Sequence, residues 1–204
     1  MRPLKLRLQA FGSYVEEQVL DFEEALARVA AVGVSVTGKL NDDCTEVTAT
    51  ATIEPLINGT YEIAYALIGD ELTGTASSWK QSNNYASRTA SQWGIKDSYL
   101  IPFCKGGKYG NSRVTLTYDD VLLTSSYISG NNKAKLEPLQ EGKVVTNTYK
   151  LKLPKKAIIA DAIKKAGYNK LAVIAMIIRN DGKIENAAKF NLSNDPAGIE
   201  GISE

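Results

Sequence analysis

The chain has 204 residues, which is enough for one large β domain or two small ones with a sizeable hydrophobic core. It carries 24 lysines and arginines against 23 aspartates and glutamates, so its overall charge favours neither nucleic acid nor an anionic membrane as a partner. It contains no histidine, which excludes Ser-His-Asp and Cys-His catalysis within the chain and removes a leading metal ligand.

The N-terminal residues alternate polar and apolar side chains. Residues 4–8 predict a half-buried strand, and residues 15–21 predict a second short strand. Residues 21–28 predict a short helix, with Asp21 as its N-cap. The first 20 residues lack the continuous apolar core of a secretory signal peptide, and no run of about 18 apolar residues predicts a transmembrane helix.

From Val32 onward the pattern becomes typical of β-strands. Apolar residues alternate with glycine, serine or threonine over residues 32–36, strict alternation runs over residues 47–53, and residues 61–68 form a third strand candidate. Turn sequences separate them at residues 41–43 and 58–59. Short strands at this spacing predict an antiparallel β-sandwich.

The two cysteines, Cys44 and Cys104, leave two interpretations open. They form one disulfide in an oxidising compartment, or they are two buried thiols, because spacing alone does not show that the sulfurs meet. Two cysteines without histidine do not predict a zinc site, and we expect neither a metal nor a cofactor.

A long polar segment at residues 69–112 interrupts the strand pattern. A loop of this length is functional or covers one end of a sheet. Its aromatic residues either bind the faces of sugars or peptides, or they pin the loop onto the sandwich. The glycine-rich stretch at residues 106–110 precedes no helix pattern and predicts a turn, not a phosphate loop. The candidate ligand-binding residues are Trp79, Tyr85 and Trp93.

The second half of the chain adds further strands and one helix. Residues 113–118 and 143–153 alternate like strands, and residues 119–123 predict a helical turn. Residues 155–166 predict an amphipathic helix that ends at Gly167. The lysines of this helix form a basic patch that we interpret as a solvated face, and they are Lys155, Lys156, Lys164 and Lys165.

Two features complete this half of the chain. Residues 171–191 predict two strands joined by a tight turn at Asn180, Asp181 and Gly182, and this hairpin is the expected spine of the sandwich. Asp119 and Asp120 are adjacent, so they point to different sides of any regular element and predict a turn or cap, not an acid/base pair.

Residues 25–190 resemble the C-terminal half of the Omp-twenty-eight-related outer-membrane proteins of Bacteroides-type bacteria. The resemblance implies a β-sandwich domain of a cell-envelope lipoprotein, periplasmic or surface-facing. That family typically carries a lipoprotein signal and a thioredoxin-like domain with paired cysteines ahead of the sandwich. Neither occurs in this sequence, and without a Cys-x-x-Cys motif no redox activity is carried over. The segments that carry the resemblance are residues 65–74 (YALIGDELTG), 79–85 (WKQSNNY), 171–178 (LAVIAMII) and 182–188 (GKIENAA).

The first 24 residues, MRPLKLRLQAFGSYVEEQVLDFEE, resemble a different family. SbcC-type DNA-repair ATPases begin with a similar strand, an Ala-Phe-Gly turn and an Asp-Phe pair, and their phosphate-binding loop follows shortly. No G-x-x-x-x-G-K-[ST] motif occurs in this sequence, so nucleoside triphosphate binding has no basis. Coincidence, a fusion or a mis-assigned start explains this stretch.

We therefore expect a mainly β protein, an antiparallel β-sandwich of Ig-like or jelly-roll-like type with one or two short helices. Residues 1–28 are expected to be an N-terminal extension, residues 29–192 the sandwich, and residues 193–204 a flexible tail. The expected function is non-enzymatic binding or scaffolding at the cell envelope, with an envelope glycan or protein as partner and no nucleic acid. The alternatives are a carbohydrate-active or carbohydrate-binding module that uses residues 69–112, and a fragment of an SbcC-like ATPase.

Overall fold

A computed structural model describes residues 5–7, 19–21, 30–128 and 131–192 of the chain. In these ranges the protein is mainly β with antiparallel sheets, as predicted. The strands are β1 (Lys5–Arg7), β2 (Val19–Asp21), β3 (Val32–Leu40), β4 (Glu46–Pro55), β5 (Tyr61–Gly69), β6 (Lys80–Ser82), β7 (Arg113–Thr115), β8 (Val121–Ser125), β9 (Tyr127–Ile128), β10 (Asn131–Asn132), β11 (Val145–Lys152), β12 (Leu171–Arg179) and β13 (Ile184–Asn191). The α-helices are α1 (Ala90–Trp93) and α2 (Ala157–Ala166), and short 3-10 helices span Ser77–Trp79, Ile101–Phe103 and Tyr168–Lys170.

Two sheets form the body of the fold. One has the strand order β11–β4–β3 and the other has the order β13–β12–β5–β8, and every neighbouring pair is antiparallel. Strand β12 pairs with β5 on one side and with β13 on the other, so the predicted spine is confirmed. The β12–β13 turn places Gly182 at φ 79°, a left-handed conformation that glycine adopts without a steric penalty.

Apolar and polar residues alternate along the strands, so one face of each sheet packs into the core. Along β4, Val47, Ala49, Ala51 and Ile53 are fully buried, while the threonines between them are half-buried. This is the period-two pattern that the sequence predicted. The facing side chains of the other sheet complete the core, and they include Ile63, Tyr65, Leu67, Val173, Ala175 and Ile177.

The two sheets approach each other closely where β3 passes the β12–β13 hairpin. A Cβ atom on Gly38 of β3 would lie 2.9 Å from Val173 Cγ2, so this approach requires glycine. At the start of β3, Asn186 Nδ2 donates a hydrogen bond to the carbonyl oxygen of Val32 (2.9 Å), and Glu185 Oε1 accepts one from the backbone N–H of Ala31 (2.7 Å). Side chains of β13 thus satisfy backbone groups of β3, which belongs to the other sheet.

Residues 119–123 were predicted to turn helical, and this prediction is wrong. Residues 119 and 120 lead into β8, and residues 121–123 belong to it. Strand β8 pairs with β5, with Val121 opposite Gly69 and Leu122 opposite Ile68. Asp120 has φ 51°, which a right-handed helix does not allow. Backbone pairing with β5 and packing of Val121 against the core outweigh the local helical tendency.

The amphipathic helix predicted at residues 155–166 is confirmed as α2, with Ala162 and Ile163 buried and Lys164 and Lys165 in its last turn. Asp21, the predicted N-cap, lies in β2, and the remainder of the helix predicted at residues 21–28 falls outside the described residues. The predicted tail at residues 193–204 also falls outside them. No helix in the described ranges has the length and apolar character needed to cross a membrane.

Candidate functional site

The long polar segment folds as an insertion on a two-stranded stem. Strands β6 and β7 pair antiparallel, with Ser82 opposite Arg113, and residues 83–112 between them are called the insertion below. Within it, α1 begins at a capping box: Thr89 Oγ1 accepts a hydrogen bond from the backbone N–H of Gln92, and Gln92 Oε1 accepts one from the backbone N–H of Thr89. Gly94, at φ 68°, ends the helix.

Asn83 ties the two ends of the insertion together. Its Nδ2 donates to the carbonyl oxygens of Phe103 (2.7 Å), Tyr109 (2.8 Å) and Asn111 (3.1 Å). Its Oδ1 accepts a hydrogen bond from the backbone N–H of Tyr85 (3.0 Å). One amide side chain therefore fixes backbone groups from both halves of the insertion, and it holds the polypeptide that carries Tyr85 in place.

Trp79, one of the three candidate binding residues, lies in the core. It is 8% exposed, its ring centroid lies 5.8 Å from that of Tyr118, and Tyr118 Oη donates to its carbonyl oxygen (2.9 Å). A Cβ atom on Gly74 would lie 2.3 Å from Trp79 Nε1, so the indole N–H is pressed against the backbone of residue 74. Trp79 therefore pins the stem of the insertion to the sandwich and presents no open ring face to a ligand.

Tyr85 and Trp93, the other two candidates, meet on the surface of the insertion. They are 38% and 41% exposed, and their rings form an edge-to-face pair with centroids 6.4 Å apart. Trp93 Nε1 donates to the carbonyl oxygen of Tyr85 (3.2 Å). Sequence reasoning missed Arg88, whose guanidinium carbon lies 5.0 Å from the Trp93 ring centroid, a cation–π contact. These three residues are called the aromatic cluster below.

The insertion is positively charged. It contains four lysines and arginines and one acidic residue, Asp97. Asp97 Oδ1 accepts a hydrogen bond from the backbone N–H of Tyr99 (2.8 Å), so this carboxylate closes a turn. The exposed aromatic side chains of the insertion therefore lie in a positive electrostatic field.

Four carboxylates lie outside the insertion in a notch at the β5–β8 end of the sheet, and they are Asp70, Glu71, Asp119 and Asp120. Asp119 Oδ1 accepts a hydrogen bond from the backbone N–H of Glu71 (2.9 Å), and Asp70 Oδ1 accepts one from that of Asp120 (2.7 Å), so these side chains bond the backbone of a distant loop. Lys189 Nζ lies 2.9 Å from Asp120 Oδ1. These bonds tie the loop of Asp70 and Glu71 to the loop of Asp119 and Asp120.

Lysines neutralise this notch from both sides. Lys170 Nζ lies within hydrogen-bond distance of Glu71 Oε1 (2.6 Å). A hydrogen bond to Glu71, with its charge, raises the pKa of Lys170, and a hydrogen bond to Asp120 raises the pKa of Lys189. Both lysines therefore remain charged at neutral pH, and the notch is a structural ion-pair network.

Cys44 and Cys104 are free thiols in this structure and form no disulfide; Cys104 is buried, as the second interpretation expects, whereas Cys44 is not. Cys104 is 1% exposed and lies in the insertion, with its Sγ 3.7 Å from the carbonyl oxygen of Leu100. Cys44 lies in the β3–β4 turn and is half-buried. Among the described residues, no cluster of three or more cysteines, aspartates and glutamates is arranged to hold a metal ion.

Replacing Asn83 with aspartate is expected to open the insertion. A carboxylate cannot donate to the three carbonyl oxygens that now accept from the amide, and each lost hydrogen bond contributes about 0.5 to 1.5 kcal/mol. We expect alkylation of Cys104 by iodoacetamide, followed by peptide mass spectrometry, to accelerate about ten-fold or more, because a local opening of about 1.4 kcal/mol is a factor of ten. Replacing the neighbouring Asn84 with aspartate, an exposed position, is the matched control. Equal labelling of Cys104 in both variants would contradict the anchoring role of Asn83.

No protein-family model matches the chain, and no curated protein matches it.

Proposed function

We propose that the protein is a non-enzymatic binding module of the bacterial cell envelope, and that its insertion binds a glycan. The aromatic cluster carries this proposal, because Tyr85 and Trp93 expose adjacent rings on the surface of the insertion. Exposed aromatic side chains that are held rigidly are typical of recognition surfaces, since they offer a large contact area at a small entropy cost.

The chemistry of the cluster favours a saccharide with acidic groups. Sugar rings carry apolar C–H faces that pack against aromatic rings, and Arg88 next to Trp93 supplies donors for hydroxyl or carboxylate oxygens. The excess of cations in the insertion favours anionic over neutral ligands and makes binding sensitive to salt.

The lack of a second carboxylate in the insertion supports binding over hydrolysis. Glycoside hydrolysis ordinarily uses two carboxyl groups roughly 5 to 10 Å apart. Asp97 is the only carboxylate residue of the insertion, and it accepts a hydrogen bond from the backbone N–H of Tyr99. The cell-envelope location rests on the resemblance of residues 25–190 to the outer-membrane protein family.

Replacing Trp93 with alanine is expected to weaken glycan binding about ten-fold or more, because a central aromatic contact is worth about 1.4 kcal/mol or more at a binding surface. Binding is measured by titration calorimetry with acidic oligosaccharides, such as oligogalacturonates and peptidoglycan fragments, and with neutral cello-oligosaccharides. The Arg88→Ala variant is expected to lose affinity for the acidic oligosaccharides more than for the neutral ones.

Tyr127→Ala is the matched control, because Tyr127 is a similarly exposed aromatic residue (47%) in β9, outside the insertion. It should bind as tightly as the unmodified protein. The proposal is overturned if no oligosaccharide binds at millimolar concentration, or if Trp93→Ala folds and binds unchanged.

A further inference from the structure

A cleft of about 490 Å³ opens at one end of the three-stranded sheet. It lies between the β3–β4 turn, the end of β11 and the helix α2. Strands β4 and β11 end together here, with Glu46 opposite Lys152, and the backbone N–H of Leu153 donates to the carbonyl oxygen of Thr45 (2.9 Å). Its volume lies within the range of small-molecule sites.

The lining of the cleft divides into an apolar part and a cationic part. Apolar side chains come from the segment after β11 and from α2, and they are Leu153, Pro154, Ala160 and Ile163. The cationic side chains are Lys152, Lys155 and Lys164. An apolar surface with a few converging charges is the composition of a site that fixes the orientation of a small ligand.

The lysines of the cleft, Lys152, Lys155 and Lys164, have no ion-pair partner among the described residues. Of the two acids in the lining, Glu46 is paired with Lys150 (3.1 Å), which leaves Asp43 facing three lysines. The cleft therefore carries a net positive charge that an anion can satisfy. Lys155 and Lys164 are exposed, as expected for the solvated lysine face predicted from the sequence, and they also line the cleft.

A strained turn presents a thiol to the cleft. Cys44 has φ 53°, a left-handed conformation that costs a non-glycine residue about 1 to 2 kcal/mol. Asn41 holds the turn, because its Oδ1 accepts from the backbone N–H groups of Thr45 (2.8 Å) and Glu46 (2.9 Å). Tyr168 lines the cleft beside Cys44; burial and then the nearby thiol raise the pKa of this phenol, which stays neutral.

We propose that this cleft is a second binding site, which takes a small amphiphile with an anionic head group, a carboxylate or a phosphate, and an apolar chain. The lysines hold the head group, and the surface formed by Leu153, Pro154 and Ile163 holds the chain. The head-group chemistry is shared by free fatty acids and by anionic lipids. This inference is independent of the glycan site, since it shares no residue with the aromatic cluster.

Cys44 provides a direct readout of occupancy. We expect decanoate and decyl phosphate, below the concentrations at which they form micelles, to slow the alkylation of Cys44 by iodoacetamide. At ten times the dissociation constant the slowing is about ten-fold, because only the unoccupied protein reacts. Peptide mass spectrometry separates Cys44 from Cys104, which is buried and serves as an internal control. Decyltrimethylammonium, which has the same chain and the opposite charge, should not protect Cys44.

Two pairs of lysine substitutions test the assignment. Lys152→Gln with Lys164→Gln is expected to weaken decanoate binding about ten-fold, as measured by calorimetry and by Cys44 protection. Lys156→Gln with Lys165→Gln removes the same charge from exposed lysines that do not line the cleft, and it should leave binding unchanged. Cys44→Asn, which tolerates the left-handed conformation, should retain calorimetric binding because the thiol is only a reporter.

The source of the ligand is distinguished with phosphatidylglycerol vesicles. Co-sedimentation that is lost in the Lys152/Lys164 variant indicates a membrane lipid, and protection by decanoate without co-sedimentation indicates a free amphiphile. The proposal is overturned if decyltrimethylammonium protects Cys44 as well as decanoate does, if neither anionic probe protects it, or if both lysine pairs weaken binding equally.

Discussion

Trp79→Ala lowers the free energy of unfolding by about 3 to 5 kcal/mol, whereas Trp93→Ala lowers it by less than about 1 kcal/mol. The two tryptophans differ in burial, since Trp79 is 8% exposed and packs on Tyr118, while Trp93 is 41% exposed. Truncating Trp79 removes most of a core side chain and leaves a cavity that the surrounding strands do not fill. Urea unfolding monitored by circular dichroism measures both values.

Trp79→Phe is the informative control for this experiment. Trp79 Nε1 is a buried donor without a hydrogen-bond partner among the described residues, and such a group costs about 1 to 3 kcal/mol. Phenylalanine removes that donor and keeps most of the ring, so we expect a much smaller loss of stability than with alanine. If Trp79→Ala and Trp93→Ala had equal effects, Trp79 would not be part of the core, and its exclusion from the binding surface would have to be withdrawn.

Tyr65→Ala is expected to have an effect of similar size, a loss of about 3 to 5 kcal/mol in the free energy of unfolding. Tyr65 is fully buried between the sheets, and its ring stacks on Tyr149 with centroids 5.7 Å apart. Its Oη donates to Asn147, with the backbone and side-chain oxygens each 3.0 Å away. Tyr65→Phe keeps the stacked ring and loses only this hydrogen bond, so it should cost about 0.5 to 1.5 kcal/mol.

The same residue predicts a dependence of stability on alkaline pH. Burial raises the pKa of the Tyr65 phenol above its ordinary value of 10.0. In the unfolded chain the phenol ionises at its ordinary pKa, so the contribution of Tyr65 to stability is fully present below pH about 10 and is lost as the pH rises above it. The difference in free energy of unfolding between the unmodified protein and Tyr65→Phe should therefore narrow above pH about 10, by at most about 1.4 kcal/mol per pH unit.

Free energies of unfolding of both proteins between pH about 8 and about 11 test this expectation. The other tyrosines are common to both proteins, so their ionisation cancels in the difference. A constant difference across this range would show that the Tyr65 phenol ionises equally in the folded and unfolded states, and its burial against Asn147 would then carry no electrostatic cost.

Local sequence patterns predicted most strands of the two main sheets and the helix α2. Strand β4 alternates threonine with Val47, Ala49, Ala51 and Ile53, and a strand of period two with one buried face accounts for that alternation. The apolar run of β12 was ambiguous by itself, and the turn ending in Gly182 identified it as a strand of a hairpin. The helix α2 was marked by its apolar stripe and by Gly167. Each of these signals lies within a few neighbouring residues.

Long-range contacts decided the rest. Residues 121–123 became strand because β5, more than fifty positions earlier, offered a backbone edge to pair with. Trp79 and Trp93 have similar polar neighbours in the sequence, yet packing against Tyr118 buries the first and the folding of the insertion leaves the second beside Tyr85 and Arg88.

The sequence by itself indicated the strands β3, β4, β5, β11, β12 and β13, and it excluded histidine-dependent chemistry within the chain. The tertiary structure alone decided that Lys152 of β11, Lys155 before α2 and Lys164 of α2 line one cleft beside Cys44, and that one aromatic pair stays on the surface. The physical reason is that hydrophobic periodicity is a local property of the chain, whereas a binding surface depends on side chains that meet across large sequence separations.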